Sequence, residues 1–104
     1  MSTRVVNVHR DQYDVYIGRS SKNLDAIFGN PYVVGKVCER CWQMHRTRES
    51  TLPCFEMYFR ERVANDRDFR LRVMRLRGLR LGCHCAPQAC HGNIIAKYVD
   101  QELS

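Results

Sequence analysis

The sequence contains no long apolar run, and none of its segments approaches the roughly 18 consecutive apolar residues that a transmembrane helix requires. Its first residues, Met1 to Asn7, contain no hydrophobic stretch of the kind that directs secretion. Internal repeats and low-complexity linkers are also lacking. These absences argue against a membrane protein and predict one domain, residues 1–104, in a reducing cytoplasm.

Acidic residues are scarce relative to basic ones, 11 against 17, which gives a net charge of +6. This balance favours an anionic partner such as a nucleotide or nucleic acid, although many small proteins are basic without one. Eight arginines between Arg60 and Arg80 form either a phosphate-tracking surface or a solvated helix face. No aromatic residues interleave on the polar side of that region, and the single Trp42 is assigned to packing rather than base stacking.

The apolar pattern predicts an α/β domain with a small, mostly parallel sheet and about three helices. Short apolar runs predict strands at residues 4–9, 15–18, 33–35 and 79–82. The first two are expected to form a hairpin or to be adjacent. Helical spacing predicts two helices between Ser50 and Gly78, separated and capped near Asp66, and a third that starts near His91.

Six cysteines in a reducing compartment indicate metal ligands or reactive thiols rather than disulfides. The spacing of Cys38 and Cys41 places two thiolates on one tetrahedral ion, and His45 and Cys54 can complete its shell. The sequence therefore predicts zinc as a cofactor, in a stabilised loop inserted at about residues 36–54. A redox pair and unliganded thiols are the alternatives, but a redox pair is expected at a helix start after a strand, which residues 35–37 do not clearly supply.

A second cluster lies between Gly82 and Gly92, where a buried strand is predicted to turn into the last helix. A zinc site here would use Cys83, Cys85, Cys90 and His91. In a further arrangement, Cys38 and Cys41 would share an ion with two of these four residues. A cluster of thiols with a purely structural role is the remaining reading of the same residues.

The same turn has two other interpretations, which place chemistry or a ligand there. Cys83 or Cys90 can act as a nucleophile with His84 or His91 as base, although no Asp or Asn is evident to orient the histidine. Alternatively, backbone N–H groups at Gly92 and the next residue bind an anion at the helix start, with His91 as a polar contact.

Three segments together resemble a small family of unknown function that occurs widely in bacteriophages and actinobacteria. They are the loop at Gly18-Arg19, the turn Gly29-Asn30-Pro31-Tyr32 and the ending Cys83-His84-Cys85-Ala86-Pro87-Gln88-Ala89-Cys90-His91-Gly92. Members of the family carry Gly-Asn-Pro-Phe and Cys-x-Cys-x-Pro-x-x-Cys-His-Gly motifs. The resemblance covers about Val5 to Val99 and implies a common role for Arg19, Asn30, Cys83, Cys90 and His91.

The chain also departs from that family at two places. Many members lack a Cys-x-x-Cys loop, so the segment from Cys38 to Cys54 is an elaboration that favours a self-contained zinc loop. Members usually carry Trp between the first two cysteines of the closing motif, where this chain has His84. A general-base role therefore does not carry over to His84.

Two functions are consistent with these features. The first is a zinc-binding, phage-type protein that binds an anionic ligand, either nucleotide or nucleic acid, or a host protein. If phage-encoded, it would act in the host cytoplasm. The second is an enzyme acting on nucleotides or nucleosides, with no metal in the chemistry. Its catalytic residues would be Cys83, Cys90 and His91, and its ligand contacts Arg19, Asn30, His91 and Gly92.

Overall fold

The residues that the computed structural model describes, 2–18, 27–84, 86 and 90–102, form three strands and three α-helices. In chain order they are β1 (Arg4–Asn7), β2 (Val15–Tyr16), a 3₁₀ turn (Glu49–Thr51), α1 (Leu52–Asn65), α2 (Arg67–Met74), β3 (Arg80–Cys83) and α3 (His91–Gln101). The predicted α/β class and the number of helices are confirmed. None of these three helices has the length and apolar content needed to cross a membrane.

The sheet is entirely parallel, and β3 lies between β1 and β2. Leu81, at the middle of β3, pairs with Val5 on one side and with Val15 on the other. The hairpin expectation for the first two strands is therefore wrong, because the last strand separates them. Leu81 is fully buried and Cys83 nearly so, which places the most buried strand at the centre, with both backbone edges hydrogen-bonded.

The connection from β1 to β2, residues 8–14, crosses the sheet at Gly82. A Cβ atom at Gly82 would lie 2.6 Å from Cγ of Tyr13 and 2.8 Å from Cγ1 of Val8, so only glycine fits beneath this connection. Asp14 fixes the far end, since its carboxylate accepts hydrogen bonds from the Arg80 backbone N–H at 2.8 Å and from the Arg80 guanidinium at 3.0 Å. These bonds to Arg80 lower the pKa of Asp14 to about 2.

The helices bury their apolar faces together and against the sheet. Phe59 of α1 is central, with its ring centroid 5.9 Å from that of Phe69 in α2 and 5.2 Å from that of Tyr98 in α3. The buried core is Ile17, Phe55, Phe59, Val63, Phe69, Val73, Leu76, Leu81, Cys83, Ala86, Cys90, Ile95, Ala96 and Val99. The two helices that helical spacing predicts between Ser50 and Gly78 are confirmed as α1 and α2, and their apolar residues lie in this core.

Local signals set several of the boundaries. Asp66 caps α2, because its carboxylate accepts the Phe69 backbone N–H at 3.1 Å. Gly78, at φ 79°, reverses the chain after α2 and leads it into β3. The strand predicted at residues 33–35 is wrong, since Val33 and Val34 are exposed and the segment forms turns. Close to this segment, Val37 forms an antiparallel bridge with Met44, and the Gly35 N–H donates to the His45 carbonyl at 2.8 Å.

Candidate functional sites

A tight turn closes the loop that contains the first two cysteines. The Cys38 N–H donates to the Gln43 carbonyl at 2.9 Å, and the Trp42 N–H donates to the Cys38 carbonyl at 2.8 Å. The bridge between Val37 and Met44 joins the two arms of this turn. To fit, Trp42 takes a left-handed backbone conformation, with φ 63°. We call residues 37–44 the knuckle.

The knuckle brings the four predicted metal ligands together. The ligand atoms of Cys38, Cys41, His45 and Cys54 all lie within 4.8 Å of one another. The sulfurs of Cys38 and Cys54 are 3.8 Å apart, and Cys41 Sγ lies 3.8 Å from His45 Nε2. A tetrahedral zinc ion with ordinary bond lengths would need about 3.8 Å between two sulfurs and about 3.6 Å between sulfur and nitrogen. The cluster therefore has dimensions close to those of a zinc tetrahedron.

Surrounding groups orient the ligands. Cys54 lies in the first turn of α1, so an ion at this cluster would join the knuckle to the helical core. The Ser50 hydroxyl donates to the Thr47 carbonyl at 2.6 Å, so its oxygen accepts from Nδ1–H of His45 at 3.1 Å. That contact leaves the Nε2 lone pair of His45 directed at the cluster, as a metal-binding imidazole requires.

The thiols of the cluster ionise unequally. Burial opposes ionisation of Cys38, but hydrogen bonds from the Cys41 and Arg40 backbone N–H groups, together with contacts to the His45 and Cys54 side chains, outweigh it and lower its pKa to about 6. Burial, followed by the neighbouring thiols Cys38 and Cys41, raises the pKa of Cys54 to about 12. A bound cation would favour all three thiolates at once and release protons as it binds.

A second group of polar side chains lies at the carboxyl edge of the sheet. His9 follows β1, Tyr16 ends β2 and His84 follows β3, and parallel strands bring these positions to one edge. His9 Nε2 lies 3.0 Å from His84 Nδ1, and His84 Nε2 lies 3.1 Å from the Tyr16 hydroxyl. We call these three residues the edge triad. Sequence reasoning missed His9 and Tyr16, and their common position at strand ends was the available signal.

Of the closing-motif residues that the structure describes, all except the exposed His84 lie inside the domain. Cys83 and Cys90 are each 1% exposed, with their sulfurs 3.4 Å apart. Cys90 caps α3, since its sulfur accepts the Asn93 N–H and its own N–H donates to Asn93 Oδ1 at 2.9 Å. His91 is also buried, with Nε2 donating to the Ile17 carbonyl at 2.6 Å. The catalytic roles predicted for Cys83, Cys90 and His91 stay predictions.

The remaining predicted site residues are distributed as follows. Arg19 and Cys85 lie outside the described residues, as does the turn around Pro87. Asn30 fixes its own loop, because Nδ2 donates to the Thr51 hydroxyl at 2.9 Å and Oδ1 accepts the Tyr32 N–H at 2.9 Å. The ligand contacts predicted for Arg19 and Asn30 stay predictions, as does the metal-ligand role of Cys85.

Gly92 occupies a tight position in the first turn of α3. A Cβ there would lie 2.5 Å from Cδ1 of Ile17 and 3.0 Å from Cγ2 of Val5, so close helix packing requires the glycine. Its predicted contact with an anion stays a prediction. Among the described residues, Cys83, Cys90 and His91 belong to no group of metal-ligating side chains comparable with the cluster at the knuckle.

Comparison with known proteins gives a family without an assigned activity. The profile of a family described as Domain of unknown function (DUF4326) matches residues 2–101. An uncharacterized 12.4 kDa protein in the nrdA-td intergenic region of Enterobacteria phage T4 is 35% identical over 98 residues. The matched region is 94% of this chain and 78% of the phage protein. No solved structure matches the chain.

Proposed function

The chain belongs to the DUF4326 family of unknown function and has a relative in phage T4, so we propose its function from the geometry of its own residues. The protein is a zinc-stabilised binding protein that engages nucleic acid through a basic surface. The metal and the surface have separate support and separate tests.

The donor set of the cluster favours zinc over other ions. Three thiolates and one imidazole suit zinc, whereas calcium and magnesium prefer oxygen ligands. Four protein ligands also fill a tetrahedral shell, with no position left for water or substrate. The ion therefore has a structural role, which is to fasten the knuckle to α1 through Cys54.

Metal analysis of variants tests this assignment. Purified protein should contain about one zinc per chain, and Cys38→Ser should lose most of it. Cys83→Ser is the matched control, because Cys83 is an equally buried thiol outside the cluster, and it should retain the metal. Zinc well below about 0.5 per chain in the unmodified protein, or loss in Cys83→Ser alone, would contradict the assignment.

The proposal of nucleic acid as the ligand rests on arginines that have no carboxylate partner. The ion pairs among the described residues use Arg40, Arg60, Arg62 and Arg80. The exposed arginines on and just after α2, namely Arg67, Arg70, Arg72, Arg75 and Arg77, form no ion pair with a described carboxylate. Five arginines without an ion pair to a described carboxylate are therefore concentrated on and just after α2, whereas the arginines of α1 and β3 are paired.

Such a helix suits a polyanion. Arg67, Arg70 and Arg72 lie on a helix with a rise of about 1.5 Å per residue, and two more arginines follow directly after it, so together they can contact several successive phosphates. Phosphate contacts of this kind bind without reading sequence. A basic surface of this composition therefore favours a nucleic acid over a small neutral ligand.

Binding to a labelled oligonucleotide at several salt concentrations tests this surface. Affinity should fall steeply with salt, and Arg70→Gln should lower the slope by roughly 1 because one phosphate contact is lost. Arg60→Gln removes the same charge, but from an arginine already paired with Glu56 and Glu102, and should change the slope less. Equal effects of both variants, or salt-independent binding, would contradict the proposal.

A nucleotide and a host protein remain the alternative partners for the same charge. A nucleotide has few phosphates, so its salt slope would be small and would not grow with the length of a competing oligonucleotide. For a host protein, the dependence of affinity on salt would be set by the charge of that protein's acidic surface. If the chain is phage-encoded, as its T4 relative is, any of these partners would be met in the host cytoplasm.

The edge triad supports a second candidate function, an enzyme that acts on nucleotides or nucleosides. Two imidazoles and a phenol in one hydrogen-bonded row can pass a proton between a ligand and solvent. Incubation with a panel of nucleosides and nucleotides, followed by chromatography, tests this. Turnover that disappears in His84→Ala would favour the enzyme, and no turnover of any member would exclude it.

A further inference from the structure

Among the large apolar side chains of the described residues, that of Trp42 is the most exposed, at 76%. The prediction that this residue serves packing is therefore wrong. Trp42 lies in the turn of the knuckle, next to the cluster residue Cys41, and its backbone is left-handed at φ 63°. The sole tryptophan of the chain thus presents its ring to solvent.

Other exposed apolar side chains lie near Trp42 in the sequence. Five of the eight exposed large apolar side chains among the described residues lie between Val33 and Met44. Val37 and Met44 are 60% and 50% exposed, and the bridge between them places them side by side. Apolar groups exposed together in this way indicate a binding surface rather than isolated surface residues.

The backbone at Trp42 gives independent support for a function. A non-glycine residue in the left-handed region is strained, and glycine would adopt the same φ without that strain. The indole also contributes little to the core from its exposed position. A residue that costs stability and packs little is expected to contribute through binding.

The charges near the knuckle indicate the chemistry of the partner. Lys36, Arg46 and Arg48 are exposed and form no ion pair with a described carboxylate, whereas Arg40 is paired with Glu61 at 2.8 Å. Across residues 36–48 the one acidic residue is Glu39. An aromatic ring with cations on both sides in sequence complements a chain of bases and phosphates.

We propose that Trp42, with Val37 and Met44, stacks on an unpaired base of single-stranded nucleic acid. Lys36, Arg46 and Arg48 contact the adjoining phosphates. Bases inside a duplex are already stacked on one another, so the exposed ring favours single strands. The inference rests on the proposed function, since it names the form of nucleic acid, and adds a surface separate from the arginines of α2.

The fluorescence of the sole tryptophan tests the inference directly. An unlabelled single-stranded oligonucleotide of about 12 nucleotides should quench Trp42 emission, and a duplex of equal length should not. With a labelled strand, Trp42→Ala should weaken affinity roughly 5- to 100-fold, and Trp42→Phe should retain most of it. Trp42→Gly should weaken affinity like alanine while melting no lower than the unmodified protein, because the strain is relieved.

Circular dichroism and zinc content confirm that each variant is folded before affinity is compared. Unchanged single-strand affinity in Trp42→Ala would overturn the inference, while loss of binding in Arg70→Gln would leave the proposed function standing. Equal affinity for duplex and single strand without quenching would also overturn it. If no nucleic acid binds the unmodified protein, or an acidic peptide quenches Trp42 where the oligonucleotide does not, both proposals fail.

Discussion

At the scale of single residues, two glycines illustrate how packing selects a residue type. Gly82 lies beneath the Tyr13 ring, and Gly92 faces the end of Ile17. The nearest neighbour of Gly82 is Cγ of Tyr13, which can move only if the backbone shifts or if the whole ring swings about χ1. The nearest neighbour of Gly92 is Cδ1 of Ile17, which a rotation at the end of that side chain can displace, and Cγ2 of Val5 follows at 3.0 Å.

Gly82→Ala should therefore destabilise the protein by about 1–3 kcal/mol, because the added methyl group pushes the β1–β2 connection off the sheet. Gly92→Ala should cost less, since alanine gains roughly 1 kcal/mol over glycine within a helix and offsets part of the clash. Urea unfolding of both variants measures the free energy of unfolding. A larger loss in Gly92→Ala would show that the connection is looser than the contact with Tyr13 implies.

Side-chain exposure is the property that the sequence predicted least well at this scale. The sequence predicts packing rather than base stacking for Trp42, but its side chain is exposed in the knuckle. The contact of His9 with His84 depends on strands that are distant in sequence. Both outcomes arise from tertiary geometry, which residue type alone does not encode.

At the scale of elements, the start of α2 depends on one side chain. Asp66 accepts the Phe69 N–H and also lies 3.7 Å from the Arg62 guanidinium. Asp66→Ala should lower the free energy of unfolding by about 1 kcal/mol, because an orphan backbone donor loses its partner. Asp68→Ala is the control, since it removes a carboxylate from the same helical turn without removing the cap. Equal losses in the two variants would assign the effect to helix-dipole charge rather than to the cap.

The knuckle should behave as a unit that depends on its ion. Its backbone hydrogen bonds are few and its side chains are largely exposed, apart from Cys38 and the neighbouring His45. Removing zinc with a chelator should therefore speed amide exchange in residues 35–48 much more than in α3. Hydrogen exchange with mass spectrometry measures this difference. Uniform acceleration through α3 would mean that the ion supports the whole fold, and no change would remove its structural role.

The helices were predictable because their signals are local. Apolar spacing, the capping aspartate and Gly78 each act within a few residues. The grouping of the four residues that could hold a metal ion was predictable for a similar reason, since Cys38, Cys41 and His45 are close in sequence and Cys54 follows at a helix start. The order of the strands was not, because β3 is inserted between β1 and β2 from about 65 residues away, and no local pattern encodes that choice.

At the scale of the whole molecule, polar contacts fasten the start of the chain to later elements. The Thr3 hydroxyl donates to Asp100 of α3 at 2.7 Å and accepts the Gly78 N–H at 2.8 Å. Hydrogen bonds from the Thr3 side chain and backbone lower the pKa of Asp100. The carboxylate of Asp14 has the corresponding role beside Arg80 at the start of β3.

These two carboxylates make stability depend on acidity. A carboxyl whose pKa is lowered by folding stabilises the folded state above its ordinary pKa, 3.8 for Asp14, and this stabilisation disappears as pH falls through about 2. Asp14→Asn should therefore be less stable than the unmodified protein near neutral pH, because the charge-assisted bonds to Arg80 are weakened. The difference should shrink between about pH 4 and about pH 2.

Urea unfolding from about pH 6 to about pH 2 measures this difference in stability. Any release of a bound metal in acid affects both proteins equally, because both contain the same candidate ligands. Asp68→Asn, at an exposed carboxylate without an ion pair among the described residues, should show a constant difference. Parallel stability curves for Asp14→Asn and the unmodified protein would mean that the bonds to Arg80 contribute nothing to folding.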